Sequence, residues 1–189
     1  MHTDVKDMHG QDLQAIISEL GLTNGEVLFS RDKVNPPDLA GMYNMADLTI
    51  NISDAEGFGL ATLESLSSGT PILVTMTGGL QDQVTDGDDN WFGIGLHPSS
   101  KAIIGSQQVP YIYEDRINGE EFVNALTKLY EMSPEARREL GLSGREWTQK
   151  RYNFEDFIES WDDLLTDVNL KNGSWDTREN YRSYGVRRF

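Results

Sequence analysis

The segment Asp47-Leu48-Thr49-Ile50-Asn51-Ile52-Ser53-Asp54-Ala55-Glu56-Gly57-Phe58-Gly59-Leu60-Ala61-Thr62-Leu63-Glu64-Ser65-Leu66-Ser67-Ser68-Gly69-Thr70-Pro71-Ile72-Leu73-Val74-Thr75 contains a strand, a helix and a second strand. Asp47 to Ile52 has the β-branched, aliphatic character of a strand. Gly59 to Ser68 reads as a helix, Gly69-Thr70-Pro71 stops it, and Ile72 to Thr75 is a buried strand. Two strands joined by one helix run parallel, and parallel sheets are covered by helices on both faces.

The alternation continues outward. Upstream, Leu13, Ile16, Ile17 and Leu20 mark a helix from Gln11 to Leu20 with Gly21 as its stop. Val27-Leu28-Phe29-Ser30 reads as a short buried strand, and Asn35-Pro36-Pro37-Asp38 starts a helix with proline in its first turn. Downstream, Asp86-Gly87-Asp88-Asp89 is a turn rather than a metal site, since such residues bond their own backbone. Trp91 to Leu96 reads as a strand, and Val109-Pro110-Tyr111-Ile112-Tyr113 as an edge strand with half-buried tyrosines, because proline cannot donate to a central ladder. Three helices follow, Gly119 to Tyr130, Ser133 to Lys150 and Phe154 to Val168, with Trp147, Tyr152, Phe154, Phe157 and Trp161 expected in the core. The expected fold is α/β, a Rossmann-like parallel sheet with helices on both faces, ending in helices. Residues 1–168 form one domain and 169–189 a basic, aromatic tail.

Within the decisive segment, Glu56 lies just before the helix and Glu64 about two turns inside it. At about 1.5 Å rise per residue the carboxylates are roughly 12 Å apart along the axis. Between them lies the helix N-terminus, whose free N–H groups, approachable through Gly57 and Gly59, favour a phosphate. That spacing fits a nucleotide sugar, from ribose to sugar across a diphosphate. The Ser53 to Glu56 loop and the Thr75-Met76-Thr77-Gly78-Gly79 turn both follow strands, where parallel sheets bind ligands, and together they form one crevice.

Composition narrows the function. A chain of 189 residues with 38% hydrophobic content can bury one good core. The absence of cysteine excludes disulfides and thiolate metal sites and is compatible with a reducing cytoplasm. His2, His9 and His97 have no metal-ligand spacing, and no apolar run is long enough for a transmembrane segment or a signal peptide. A formal charge of -15 argues against nucleic-acid binding. From Val168 onward the net charge is +3, against -18 for the rest, so the tail is a distinct segment suited to docking on an acidic body.

Tyr43-x-x-Ala46-Asp47, Glu56-Gly57-Phe58-Gly59-Leu60, Glu64, Gly69-Thr70-Pro71, Gly78-Gly79-Leu80 and Asp86-Gly87 follow one another as in the donor half of GT-B glycosyltransferases. The chain resembles the retaining E-x7-E group, family 4, from about Leu13 to Val168. The resemblance implies transfer of a hexose-type sugar from a nucleotide diphosphate to an acceptor hydroxyl, with no metal or other cofactor. Glu56 would be catalytic, beside the donor sugar's hydroxyls, and Glu64 would hold the ribose. Gly57, Phe58, Gly59 and Leu60 would meet sugar and phosphate, with Ser53, Gly78 and Gly79 lining the crevice. The acceptor-binding amino-terminal half of such enzymes has no counterpart here, and the donor half lacks its opening strand and the Arg/Lys pair for the diphosphate. That half must come in cis or in trans, and transfer without it is not expected. The alternatives are a non-catalytic module that scaffolds a partner, and a related sugar-phosphate synthase or phosphorylase.

Overall fold

A computed structural model describes residues 1–8 and 10–174 of the chain. They divide into two units, Met1–Gly41 and a second beginning at Met42.

In the first unit, α1 (Leu13–Glu19) is capped by Asp12, whose carboxylate accepts from the Ala15 N–H at 3.1 Å. Val5 and Ile17 are buried. The strand expected at Val27 to Ser30 does not form. Leu28 is 74% exposed, and Ser30 makes one isolated bridge to His2; without a neighbouring ladder, an apolar run has nothing to hold it extended. The helix α2 (Pro36–Met45) starts at the expected proline turn, with the Asn35 side chain accepting from the Asp38 N–H at 3.0 Å.

The second unit is built on a parallel sheet of β1 (Thr49–Asn51), β2 (Ile72–Thr75) and β3 (Gly93–Leu96), in that order. Thr49 pairs with Ile72, and Ile72 with Gly93. All four residues of β2 are buried, as befits a central strand. Ile72 and Val74 pack with Leu66 of α3 (Leu60–Ser67), Val84 of α4 (Gln81–Val84), Phe92 and Trp147. Leu73 points the other way, to a cluster with Leu96 and with Ala125 and Leu129 of α5 (Gly119–Glu131). Both faces of the sheet are therefore covered by helices, as expected.

The helices α6 (Pro134–Arg151) and α7 (Phe154–Asn172) begin at Ser133 and Asn153, whose side chains accept from the N–H groups of Ala136 and Glu155. α7 continues past Val168 to Asn172. Its aromatic residues are not core: Phe154, Phe157 and Trp161 are 67%, 55% and 49% exposed, Phe154 stacking on Phe157 and Phe157 meeting Trp161 edge-on, whereas Trp147 of α6 packs flat on Phe92. The expected edge strand at Val109 to Tyr113 is displaced to β5 (Tyr113–Arg116), antiparallel to β4 (Ser100–Ile103), and Tyr111 and Tyr113 are exposed rather than half-buried. Pro110 lies in the connection instead of the ladder, the more favourable place for a residue without an N–H. Trp175, Tyr181, Tyr184 and Phe189 of the basic tail, and His9, lie outside the described residues. No helix among the described residues is long and apolar enough to cross a membrane.

Candidate functional site

The loop after β1 is oriented by one buried side chain, Gln83, which has no exposed surface. Its Nε2 donates to the Phe58 carbonyl at 2.6 Å and lies 3.2 Å from that of Gly59, while its Oε1 accepts from the Thr62 hydroxyl at 2.6 Å. A planar trans peptide sets C=O and N–H on opposite sides. Pinning these two carbonyls inward therefore turns the N–H groups of Gly59 and Leu60 outward at the start of α3, and among the described residues they meet no acceptor. Unpaired donors at a helix N-terminus favour an anion.

The glycines divide by role. Gly59 caps α3 at φ 88°, in the left-handed region, and an added Cβ would come within 2.5 Å of Leu80. Gly78, at φ 48°, faces the Glu56 carbonyl so closely that a Cβ would fall on it, and a Cβ at Gly79 would meet the Phe58 carbonyl at 2.6 Å. The Gly79 N–H donates to the Gly57 carbonyl at 3.1 Å. The two loops at the carboxyl ends of β1 and β2 thus touch directly. Gly57 has no protein atom near an added Cβ, so packing does not require glycine there.

Of the two glutamates, Glu56 is half-buried, and its Oε1 accepts from the adjacent Gly57 N–H at 3.1 Å. Glu64 is exposed on α3, and its Oε2 accepts from the Tyr43 hydroxyl at 3.0 Å. Burial, followed by the bond to Glu64, pushes the Tyr43 hydroxyl up to about 12. Ser53 turns back on β1, its hydroxyl donating to the Asn51 side chain at 2.6 Å. Thr75, at the end of β2, is buried with an unpartnered hydroxyl.

No lysine or arginine occurs between Lys33 and Lys101, so neither loop carries a cation. Arg116 of β5 approaches the first loop, bonding Asp54 at 2.9 Å and Glu114 at 2.6 Å. The hydrogen bond it donates to Glu114 leads in raising its already high pKa, and with two carboxylates it is a brace rather than a free cation. Beside Phe58, whose ring meets Tyr152 edge-on at 5.8 Å, lies an apolar cavity of about 730 Å3 lined by Leu63, Trp147 and the α7 aromatics. Sequence reasoning missed Gln83, Arg116 and the bond of Tyr43 to Glu64. Only Tyr43 left a trace, as part of the Tyr-x-x-Ala-Asp block.

The model of the glycosyl transferases group 1 family matches residues 9–147. The chain belongs to this family. Among curated group 1 relatives, a D-inositol 3-phosphate glycosyltransferase of Paenarthrobacter aurescens is 37% identical over 91 residues, 48% of this chain and 22% of that protein. The enzyme of the same name from an Arthrobacter species is 40% identical over 76 residues, 40% of this chain and 18% of that protein. The chain thus spans about a fifth of the length of these relatives. In fold, the group 1 domain resembles sucrose-phosphate synthase of Thermosynechococcus elongatus, with a TM-score of 0.66 at 23% identity over 87% of this chain and 37% of that one. It also resembles the Anabaena protein HepE, crystallised with UDP and glucose, with a TM-score of 0.61 at 18% identity over 82% of this chain and 36% of that one. These likenesses concern the fold: the parallel sheet and its covering helices are GT-B-like.

Proposed function

We propose that this chain is the carboxyl-terminal, donor-binding portion of a retaining glycosyltransferase that moves a hexose-type sugar from a nucleotide diphosphate to an acceptor hydroxyl. The observation that carries this reading is the pair of N–H groups at Gly59 and Leu60, turned outward between Glu56 and Glu64. In this reading they receive the diphosphate, whose charge grows as the sugar departs. Glu64, oriented by Tyr43, accepts from the ribose hydroxyls, and Glu56 from those of the sugar, since a carboxylate is an acceptor-only group. Gly57, Phe58, Ser53, Gly78 and Gly79 line the path.

The reaction is a front-face displacement. The bond from the anomeric carbon to the diphosphate oxygen breaks, the acceptor oxygen bonds the same face, and its proton passes to the departing diphosphate. No metal or other cofactor takes part; the cations for the diphosphate belong to the opening strand and loop of the donor half, and the acceptor groove to an amino-terminal half, in cis or in trans. The cytoplasm is the compartment with which a cysteine-free chain is compatible.

The names of the relatives favour a second reading of the acceptor, as a phosphorylated polyol or sugar. A scaffold module remains the contrasting class. Ligand-observed NMR with UDP, GDP, ADP and their glucose or mannose conjugates decides between them. Selective binding of one nucleotide that fades in Glu64→Ala supports the donor site, and equal affinity in wild type and variant sinks the assignment of Glu64.

A further inference from the structure

A cavity of about 410 Å3 opens at the amino ends of the same strands, opposite the loops described above. Arg137, Arg138 and Arg145 of α6 line it, with Ser68 and Thr70 from the turn before β2 and Asp47 from the approach to β1. In a chain of net charge -15 with only 16 lysines and arginines, three on one cavity is a marked concentration.

Close packing holds them there. A Cβ at Gly141 would fall on the Gly69 carbonyl, and one at Gly144 would come within 2.5 Å of Leu66. That approach lays α6 across the turn, with Arg138 and Arg145 seven residues apart on the same helix face. An added Cβ at Gly69 would lie 4.0 Å from the Arg145 side chain.

Arg137 is committed to the fold, since it donates to the Met132 carbonyl at 2.7 Å and contacts Asp47 at 3.4 Å. Arg138 and Arg145 have no carboxylate partner among the described residues. The cavity also borders Pro134, in the first turn of α6, whose helix dipole adds positive potential. The carbonyls of Glu64, Ser65 and Leu66 at the end of α3, which would repel an anion, accept from the N–H groups of Ser68, Gly69 and Thr70, and that of Glu64 also from the Ser68 hydroxyl. Guanidinium groups match phosphate oxygens in a bidentate fork, and the volume is that of a small-molecule pocket rather than of a bare ion.

We propose that this cavity binds a small molecule through a phosphomonoester group, held by Arg138 and Arg145, at a site separate from the donor site.

The test is a titration of the isotope-labelled full chain with glucose 6-phosphate and with inorganic phosphate at constant ionic strength, followed by NMR. The expected result is saturable shifts in the amides of residues 68–70 and 135–145. The sugar phosphate should bind more tightly than phosphate, and affinity should fall at least tenfold in the double variant Arg138→Gln, Arg145→Gln. Both side chains are exposed, so the variant should fold, and the wild-type amide pattern elsewhere verifies it. Absent or unsaturable shifts, shifts unchanged in the variant, or binding of inorganic phosphate alone would overturn the proposal. A parallel UDP titration read at residues 53–64 reports on the donor site independently.

Discussion

The Tyr43 hydroxyl donates to Glu64 Oε2 at 3.0 Å and so ties the last turn of α2 to the middle of α3. One carboxylate oxygen is thereby committed, and the other has no hydrogen-bond partner among the described residues. The bond fixes where Glu64 presents its charge, which its place on an exposed helix face would leave free.

Tyr43→Phe removes this donor and keeps the ring. A net hydrogen bond contributes about 0.5–1.5 kcal/mol, so nucleotide affinity should fall by roughly two- to tenfold while the fold persists. NMR titration with the nucleotide that binds the wild type provides the comparison, and unchanged affinity would remove Tyr43 from the site.

The same bond predicts a pH signature. Folding raises the Tyr43 hydroxyl to about 12, from about 10 in the unfolded chain, so the folded state favours the protonated form. This contribution is complete below about pH 10 and is lost as pH rises toward 12. Urea midpoints at pH 9 and 11.5 should fall further in the wild type than in Tyr43→Phe; equal losses would contradict the bond.

Gly78→Ala should be among the most damaging substitutions in either loop. The residue sits at φ 48° with its Cβ direction on the Glu56 carbonyl, so alanine must push the two loops apart. A backbone forced into a disfavoured region costs about 1–3 kcal/mol, before any clash is counted. Thermal unfolding should show the loss, and the variant should bind nucleotide poorly even where it is folded. Gly57→Ala, which meets no protein atom, should leave stability within about 1 kcal/mol of wild type and affect only binding.

Gln83→Leu keeps the approximate volume of a buried side chain but strips the Phe58 carbonyl of its donor and Thr62 of one of its two acceptors, while the Gly59 carbonyl keeps the Leu63 N–H and the Thr62 hydroxyl. An unsatisfied buried group costs about 1–3 kcal/mol, so a loss of at least about 2 kcal/mol is expected in urea unfolding. Hydrogen exchange should also quicken in the N-terminal turn of α3. Unchanged exchange would mean that Gln83 does not orient the loop.

Local sequence determined the elements whose causes are local. The β-branched run around Thr49 to Asn51, the glycine at 59, the stop at Gly69 to Pro71 and the caps Ser133 and Asn153 all act within one turn or one strand, and the parallel sheet covered on both faces follows from them. Glu56, before the helix, and Glu64, within it, are legible for the same reason. Tertiary structure alone decided what depends on distant partners. Val27 to Ser30 has strand composition but no ladder, and Phe154, Phe157 and Trp161 have core composition but lie on an uncovered helix face. Gln83 is about twenty-five residues from the carbonyls it pins, and Tyr43 twenty-one from Glu64. A hydrogen bond across such a separation leaves no periodicity to read, because it is set by how helices pack on the sheet rather than by neighbours in the chain.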